Sequence, residues 1–272
     1  SNVIASLLPL LLLLVLLGLV LHPFEHGLVF AKLRQKTSAE VREQSGLVLR
    51  KKAREAGGLG DFELTSSEKR LITAISRAGE KRGWSSVKAA ITPYAGHAAP
   101  VFSAALHAAV RCQEYKAGAE LFDRCREKCS VIHLPVYTQA LRIFGKLGEP
   151  ARVREVWAEA LEVCSLDMVL VSARIAAAAD EGDIEGAAEI LDKADASGIP
   201  LEGSLLNSAI RTCWGAGKYR DKAARYFYGL FAKRGLVPNI VTFAALAGAF
   251  KSSPLDNLLW TYSEMKSFQV RP

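Results

Sequence analysis

Three side chains near the middle of the chain have the types and spacing of a metal site. Cys125, Cys129 and His133 fall at i, i+4 and i+8, which is one face of a helix if the helix runs unbroken. Thiolate and imidazole both suit zinc, which takes four such ligands in a closed structural site. Ser130 to Pro135 reads as a turn that carries His133 off that face, and no fourth ligand is in sight, so the cysteines are expected in the core. His22 and His26 stand one helical turn apart, a spacing open to an axial ligand of a haem or pigment, but Pro23 works against that helix. Gly79-Glu-Lys-Arg-Gly-Trp-Ser-Ser86 has the residue types of a phosphate-binding loop without their order or a preceding strand. His97, His107 and His133 have no serine, cysteine or carboxylate partner in a catalytic pattern. The expectation is a protein with no enzymatic activity, no metal and no cofactor.

The elements that would position any site are helices in a repeat. Aligning the polar residue that follows each opening apolar pair gives Lys69, Ser103, Thr138, Ser172, Asn207 and, with the polar group lost, Ala244, spaced by 34, 35, 34, 35 and 37 residues. A glycine expected to break each unit between its helices falls at Gly79, Gly148, Gly182 and Gly217, with Gln113 in the vacant slot. Gly182-Asp-Ile-Glu-Gly-Ala-Ala-Glu-Ile-Leu191 supplies a short turn and a small-residue face that lets two antiparallel helices approach closely. A self-similar period of this length is the signature of a helical solenoid, in which each unit buries its apolar face only against its neighbours. The predicted fold class is all-α, an α-solenoid of five to six helix-turn-helix units.

Pro238-Asn-Ile-Val-Thr-Phe243, with Leu255-Asp256 and Tyr262-Ser-Glu-Met-Lys266, resembles the pentatricopeptide repeat, and the resemblance runs from about Thr65 to Pro272. The tetratricopeptide repeat shares the period, but the Val-Pro-Asn opening is less similar to it. The units at Ser103 and Ser172 are degenerate, the unit at Ala244 is one residue short before Lys251, and the unit at Asn207 has extra residues around Lys222. Arg271-Pro272 resembles the start of another unit, so the array is expected to continue. The resemblance implies that a polar residue on each first helix and the residue closing the unit together read one RNA base. The implied pairs are Ser103 with His133, Thr138 with Asp167, Ser172 with Glu202, and Asn207 with Asn239. Of these, Thr138 with Asp167 resembles a guanine-reading pair and Asn207 with Asn239 a pyrimidine-reading pair.

Val3 to Leu21 is nineteen residues without a charge, long enough to cross a hydrocarbon core of about 30 Å as a helix. A membrane anchor is the favoured reading, ahead of a signal-peptide core or a buried helix. Residues 1–31 carry net charge −1, from Glu25 alone, and residues 32–54 carry +6. The bases of that second block are Lys32, Arg34, Lys36, Arg42, Arg50, Lys51, Lys52 and Arg54. Residues 55–272 carry only +2. A juxtamembrane basic block orients a single-pass protein with its following domain on the cytoplasm-like side, here stroma or matrix, and it suits anionic lipid head groups. Five cysteines without a framework spacing indicate reduced thiols. The expected divisions are an anchor and interfacial segment over 1–31, a basic connector over 32–60 closed by Gly57-Gly-Leu-Gly60, and the repeat array over 61–272.

Two functions fit. One is a membrane-anchored scaffold that docks protein subunits of a photosynthetic or respiratory complex, favoured by the near-neutral array and by Ala244 in a reading position. The other is a membrane-tethered, sequence-specific factor for single-stranded organellar RNA. The family resemblance implies an organelle, with the plastid thylakoid slightly ahead of the mitochondrial inner membrane. A homo-oligomer is not expected.

Overall fold

The computed structural model describes residues 64–215, 217 and 219–271; the expected anchor with its two histidines, and the basic connector, lie outside that set. The described residues form twelve α-helices in six antiparallel pairs. They are α1 (Ser66–Glu80) with α2 (Trp84–Ile91), α3 (Ala99–Cys112) with α4 (Tyr115–Lys128), and α5 (Leu134–Leu147) with α6 (Pro150–Val163). The series continues with α7 (Met168–Glu181) and α8 (Ile184–Ala196), α9 (Gly203–Arg211) and α10 (Arg220–Lys233), and α11 (Ile240–Phe250) and α12 (Leu255–Ser267). A 3₁₀ turn, Thr212–Trp214, prolongs α9. Among the described residues there is no strand, and no helix is long and apolar enough to cross a membrane.

Short-range chemistry sets the boundaries. Thr65 and Asn239 open α1 and α11 with reciprocal capping boxes to Glu68 and Thr242, while Asp167 and Asp183 cap α7 and α8 through Leu170 N and Gly186 N. Each side chain satisfies amide donors that a helix leaves without partners. Pro100, Pro135 and Pro150 sit in the first turns of α3, α5 and α6, where a missing N–H costs nothing. Ten residues after the markers at 103, 138 and 172, the chain turns left-handed at Gln113, Gly148 and Gly182, with φ of 60°, 69° and 70°. The next amide then reaches back to Ala109, Phe144 or Ala178 and closes the helix end.

The units are held differently on their two layers. Consecutive first helices pack directly on one another, whereas second helices pack mainly on first helices, so the first helices form the tighter, inner layer. Close approach needs small residues. A Cβ added to Gly79 would lie 2.8 Å from Ala108 Cβ, and one added to Gly145 would lie 2.8 Å from the Cα and Cβ of Ala177. Long polar side chains bridge the more open outer layer. Arg126 reaches Glu155 and Glu159 at 2.9 and 2.6 Å, Arg234 reaches Asp195 at 2.6 Å, and Tyr228 donates to Glu264 at 2.8 Å. Arg152 pairs with Asp123 and lies 4.3 Å from the centre of the Phe144 ring, so its stem packs while its head pairs.

The apolar pair before each marker becomes core: Val101 and Phe102, Val136 and Tyr137, Leu170 and Val171, and Leu205 and Leu206 are all nearly inaccessible. Leu170, Ala173 and Ala177 of α7 belong to one hydrophobic cluster, and Val171, Ile175 and Ala178 to the next. One helix thus serves two cores, the nearest-neighbour arrangement of a solenoid. Two details correct the sequence reading. Gly79 does not break its unit; it lies inside α1, and the left-handed residue is Arg82, with Gly83 N closing on Ala78 O. Packing against Ala108 is what demands a glycine there. The extra residues of the Asn207 unit lie before Arg220, in the connection from Thr212, and Lys222 is already within α10.

Gly145→Ala is expected to destabilise the array by about 1–3 kcal/mol in urea unfolding, because the added methyl meets backbone rather than a yielding side chain. Gly148→Ala has open space but a positive φ, and should cost about 1 kcal/mol through strain alone.

Candidate nucleic-acid interface

The inner layer presents one face of each first helix. From each marker, positions three before and four and eight after it share that face, since a helix turns once every 3.6 residues. On α5 these are Pro135, Thr138, Arg142 and Lys146; on α7, Val169, Ser172, Ala176 and Asp180; on α3, Pro100, Ser103, His107 and Arg111. Five of these, Arg142 and Lys146 of α5 and Ser172, Ala176 and Asp180 of α7, line one open groove of about 340 Å³ together with Ser208 and Arg211 of α9.

Charge is unevenly shared between the layers. First helices carry Lys69, Arg70, Arg77, Arg111, Arg142, Lys146, Arg174 and Arg211 against Glu68, Glu80, Asp180 and Glu181, while second helices carry equal numbers of each sign. Arg174 is withdrawn from the face, 5% exposed and paired with Asp183 at 3.3 Å. Lys146 pairs with Asp180 at 2.7 Å. Burial, and then the positive charges of Arg111 and Arg142, hold the His107 imidazole below its usual pKa. The position three before the marker holds Pro135, Val169 and Val241 on α5, α7 and α11, the last two 52% and 55% exposed.

The expected reading residues differ in their access to this face. Thr138 is 2% exposed and donates its hydroxyl to Pro135 O at 3.0 Å. Asn207 is 7% exposed, its Oδ1 buried and without a hydrogen bond. Ser103 and Ser172 are half-buried, and Ser172 lines the groove. The closing residues stand at the N-termini of the following first helices. Asp167 accepts from Leu170 N at 2.8 Å, and Asn239 Oδ1 accepts from Val241 N and Thr242 N, so both already serve as caps. Glu202 precedes α9 and makes no side-chain cap. His133 precedes α5, off the end of α4, while Cys125 and Cys129 are buried with their sulfurs 3.7 Å apart. Among the described residues no group of three or more such side chains is placed to hold a metal.

Sequence reasoning missed the cations at Arg111, Arg142, Lys146 and Arg211. Their signal was the same register, four or eight residues beyond each marker, hidden when charge was summed over the whole array without regard to face.

This geometry defines a class, the helical-repeat solenoid with a basic inner face. No protein-family profile and no curated protein matches the chain. Among solved structures it is similar to the maize pentatricopeptide repeat protein PPR10, with a TM-score of 0.63 at 20% identity over 95% of this chain and 39% of that one. It is also similar to PPR10 in complex with an 18-nucleotide psaJ RNA element, with a TM-score of 0.58 at 20% identity over 95% of this chain and 43% of that one. The fold is therefore that of a pentatricopeptide-like solenoid, and the chain spans about two fifths of the length of those proteins.

Two outcomes are expected. Asp167→Ala should cost about 0.5–2 kcal/mol in thermal or urea unfolding through loss of the α7 cap, whereas Asp167→Asn should stay near wild type, so that any change in base preference by the latter reports reading alone. His107 and His133 both have lowered pKa values, the latter through burial. The unfolded chain thus takes up protons first, and stability present above the ordinary value of 6.5 is lost as pH falls through it. The urea midpoint should fall between pH 7.5 and 5.5, and fall less in a His107→Gln, His133→Gln double variant.

Proposed function

We propose that the array binds single-stranded RNA along its inner face, and that the protein is a binding factor for organellar transcripts rather than an enzyme. The observation that carries the proposal is one groove lined by the first-helix cations Arg142, Lys146 and Arg211 together with the hydroxyls of Ser172 and Ser208. Phosphate contacts from lysine and arginine supply most of the affinity for nucleic acid, and unpaired bases are held on apolar or aromatic side chains with hydrogen bonds at their edges. Ser103 and Ser172 are half-buried hydroxyls on that face, and Asp167 and Asn239 cap the first helices that carry the next markers. The neighbour solved with bound RNA supports the same use of the fold. The reading retains Val3 to Leu21 as a tether to an organellar membrane, plastid ahead of mitochondrion, with the basic block from Lys32 to Arg54 on the lipid surface.

The docking-subunit function draws on one observation, the apolar side chains of α12, where Leu255 and Leu259 are 66% and 55% exposed. Purification from detergent-solubilised membrane separates the two: protein subunits that persist through ribonuclease favour docking, and a transcript lost with its partners favours RNA.

Arg111→Ala and Arg142→Ala should each weaken binding of a random 14-nucleotide RNA pool about tenfold, the worth of one charge-assisted contact, with little change in sequence preference. Each should also flatten the dependence of log affinity on log salt by about 0.7. Anisotropy titrations at several salt concentrations measure both. Wild-type protein that binds no RNA at low salt, or variants with the full wild-type slope, would sink the proposal.

A further inference from the structure

The turn that closes α9 carries an indole where most other units have a small side chain. Seven residues beyond successive markers stand Ser76, Val110, Gly145, Ala179 and Trp214. Helix α9 stops at Arg211 and tightens into the 3₁₀ turn, which carries Trp214 across to the next first helix. There its Nε1 donates to the Ala245 carbonyl at 2.8 Å. Gly248 makes the room, since a Cβ at that position would lie 2.5 Å from Trp214 Cε2.

The ring is thus held by a hydrogen bond and a close backbone contact, yet the residue is 42% exposed. The guanidinium of Arg211 lies 5.4 Å from the ring centre and itself lines the groove. Trp260, by contrast, packs into a cluster with Tyr228 and Phe250. A fixed, accessible aromatic surface beside a cation at the end of an RNA groove suits stacking, which every base can satisfy with its π-face. The unit it meets is the one whose marker is Ala244, which has no side-chain group to bond a base edge.

We infer that Trp214 is a stacking platform for one unpaired nucleobase, with Arg211 meeting the adjoining phosphate. This end of the array then holds RNA without reading its sequence. The inference rests on the RNA reading of the inner face and adds a residue that the repeat pattern does not supply.

The test uses the full chain with fluorescein-labelled 14-nucleotide oligo(rA) and oligo(rU), and the variants Trp214→Leu and Trp214→Phe. Trp214→Leu should bind both RNAs about five- to a hundredfold more weakly, the range for loss of one stacked base, and Trp214→Phe should keep most of the affinity. Unlabelled RNA should quench the tryptophan emission of the wild type, and that quenching should disappear in Trp214→Phe. The quenching comparison decides the matter if Trp214→Leu does not fold. Wild-type affinity in a folded Trp214→Leu, or undiminished quenching in Trp214→Phe, overturns the platform and leaves the RNA reading standing. A wild type that binds neither RNA overturns both.

Discussion

The close approach of consecutive first helices is the constraint on which the rest of the array depends. Where α1 meets α3 and α5 meets α7, a glycine faces an alanine with no room for one more carbon. Packing that tight on the inner layer leaves the second helices farther apart, so the outer layer is bridged by arginine, tyrosine and carboxylate side chains rather than by interdigitated apolar groups. Exposed ion pairs of that kind contribute little stability each, so cohesion comes from the inner contacts and the shared cores.

The same constraint creates the proposed RNA-binding surface. Drawing the first helices together aligns the outward-facing positions of successive units, and residues separated by one repeat in sequence become neighbours along a groove. Arg111, Arg142 and Arg211 are far apart in the chain and unremarkable singly. On the inner face Arg111 and Arg142 add to burial in holding the His107 imidazole below its usual pKa, while Arg142 and Arg211 line one groove. A net charge of +2 over residues 55–272 conceals this, because the second helices are balanced and the remaining residues of that stretch, outside first and second helices, carry a net −2.

Several residues with a proposed reading role also hold the fold. Asp167 and Asn239 cap the helices that follow them, and Thr138 bonds its own backbone. A polar residue at these places is explained by helix chemistry before any ligand is considered. Ser172 and Arg142 make no such cap and line the groove, so they are the stronger support for the proposed binding. Trp214 lies between these cases, anchored to the next unit through Ala245 and yet 42% exposed beside Arg211.

The sequence alone determined the class and the period, because capping residues, turn glycines and apolar pairs are local signals repeated often enough to fix one register. It placed the core pairs at every unit from Ser103 to Asn207 and the turns at Gly148 and Gly182. It misassigned Gly79, since a glycine required for contact with a distant alanine is written identically to one required for a turn. Tertiary structure alone decided which cations share a face, which marker hydroxyls are buried and where the indole of Trp214 comes to rest. Each of those depends on side chains of adjacent units, and a one-dimensional pattern carries no distance between them.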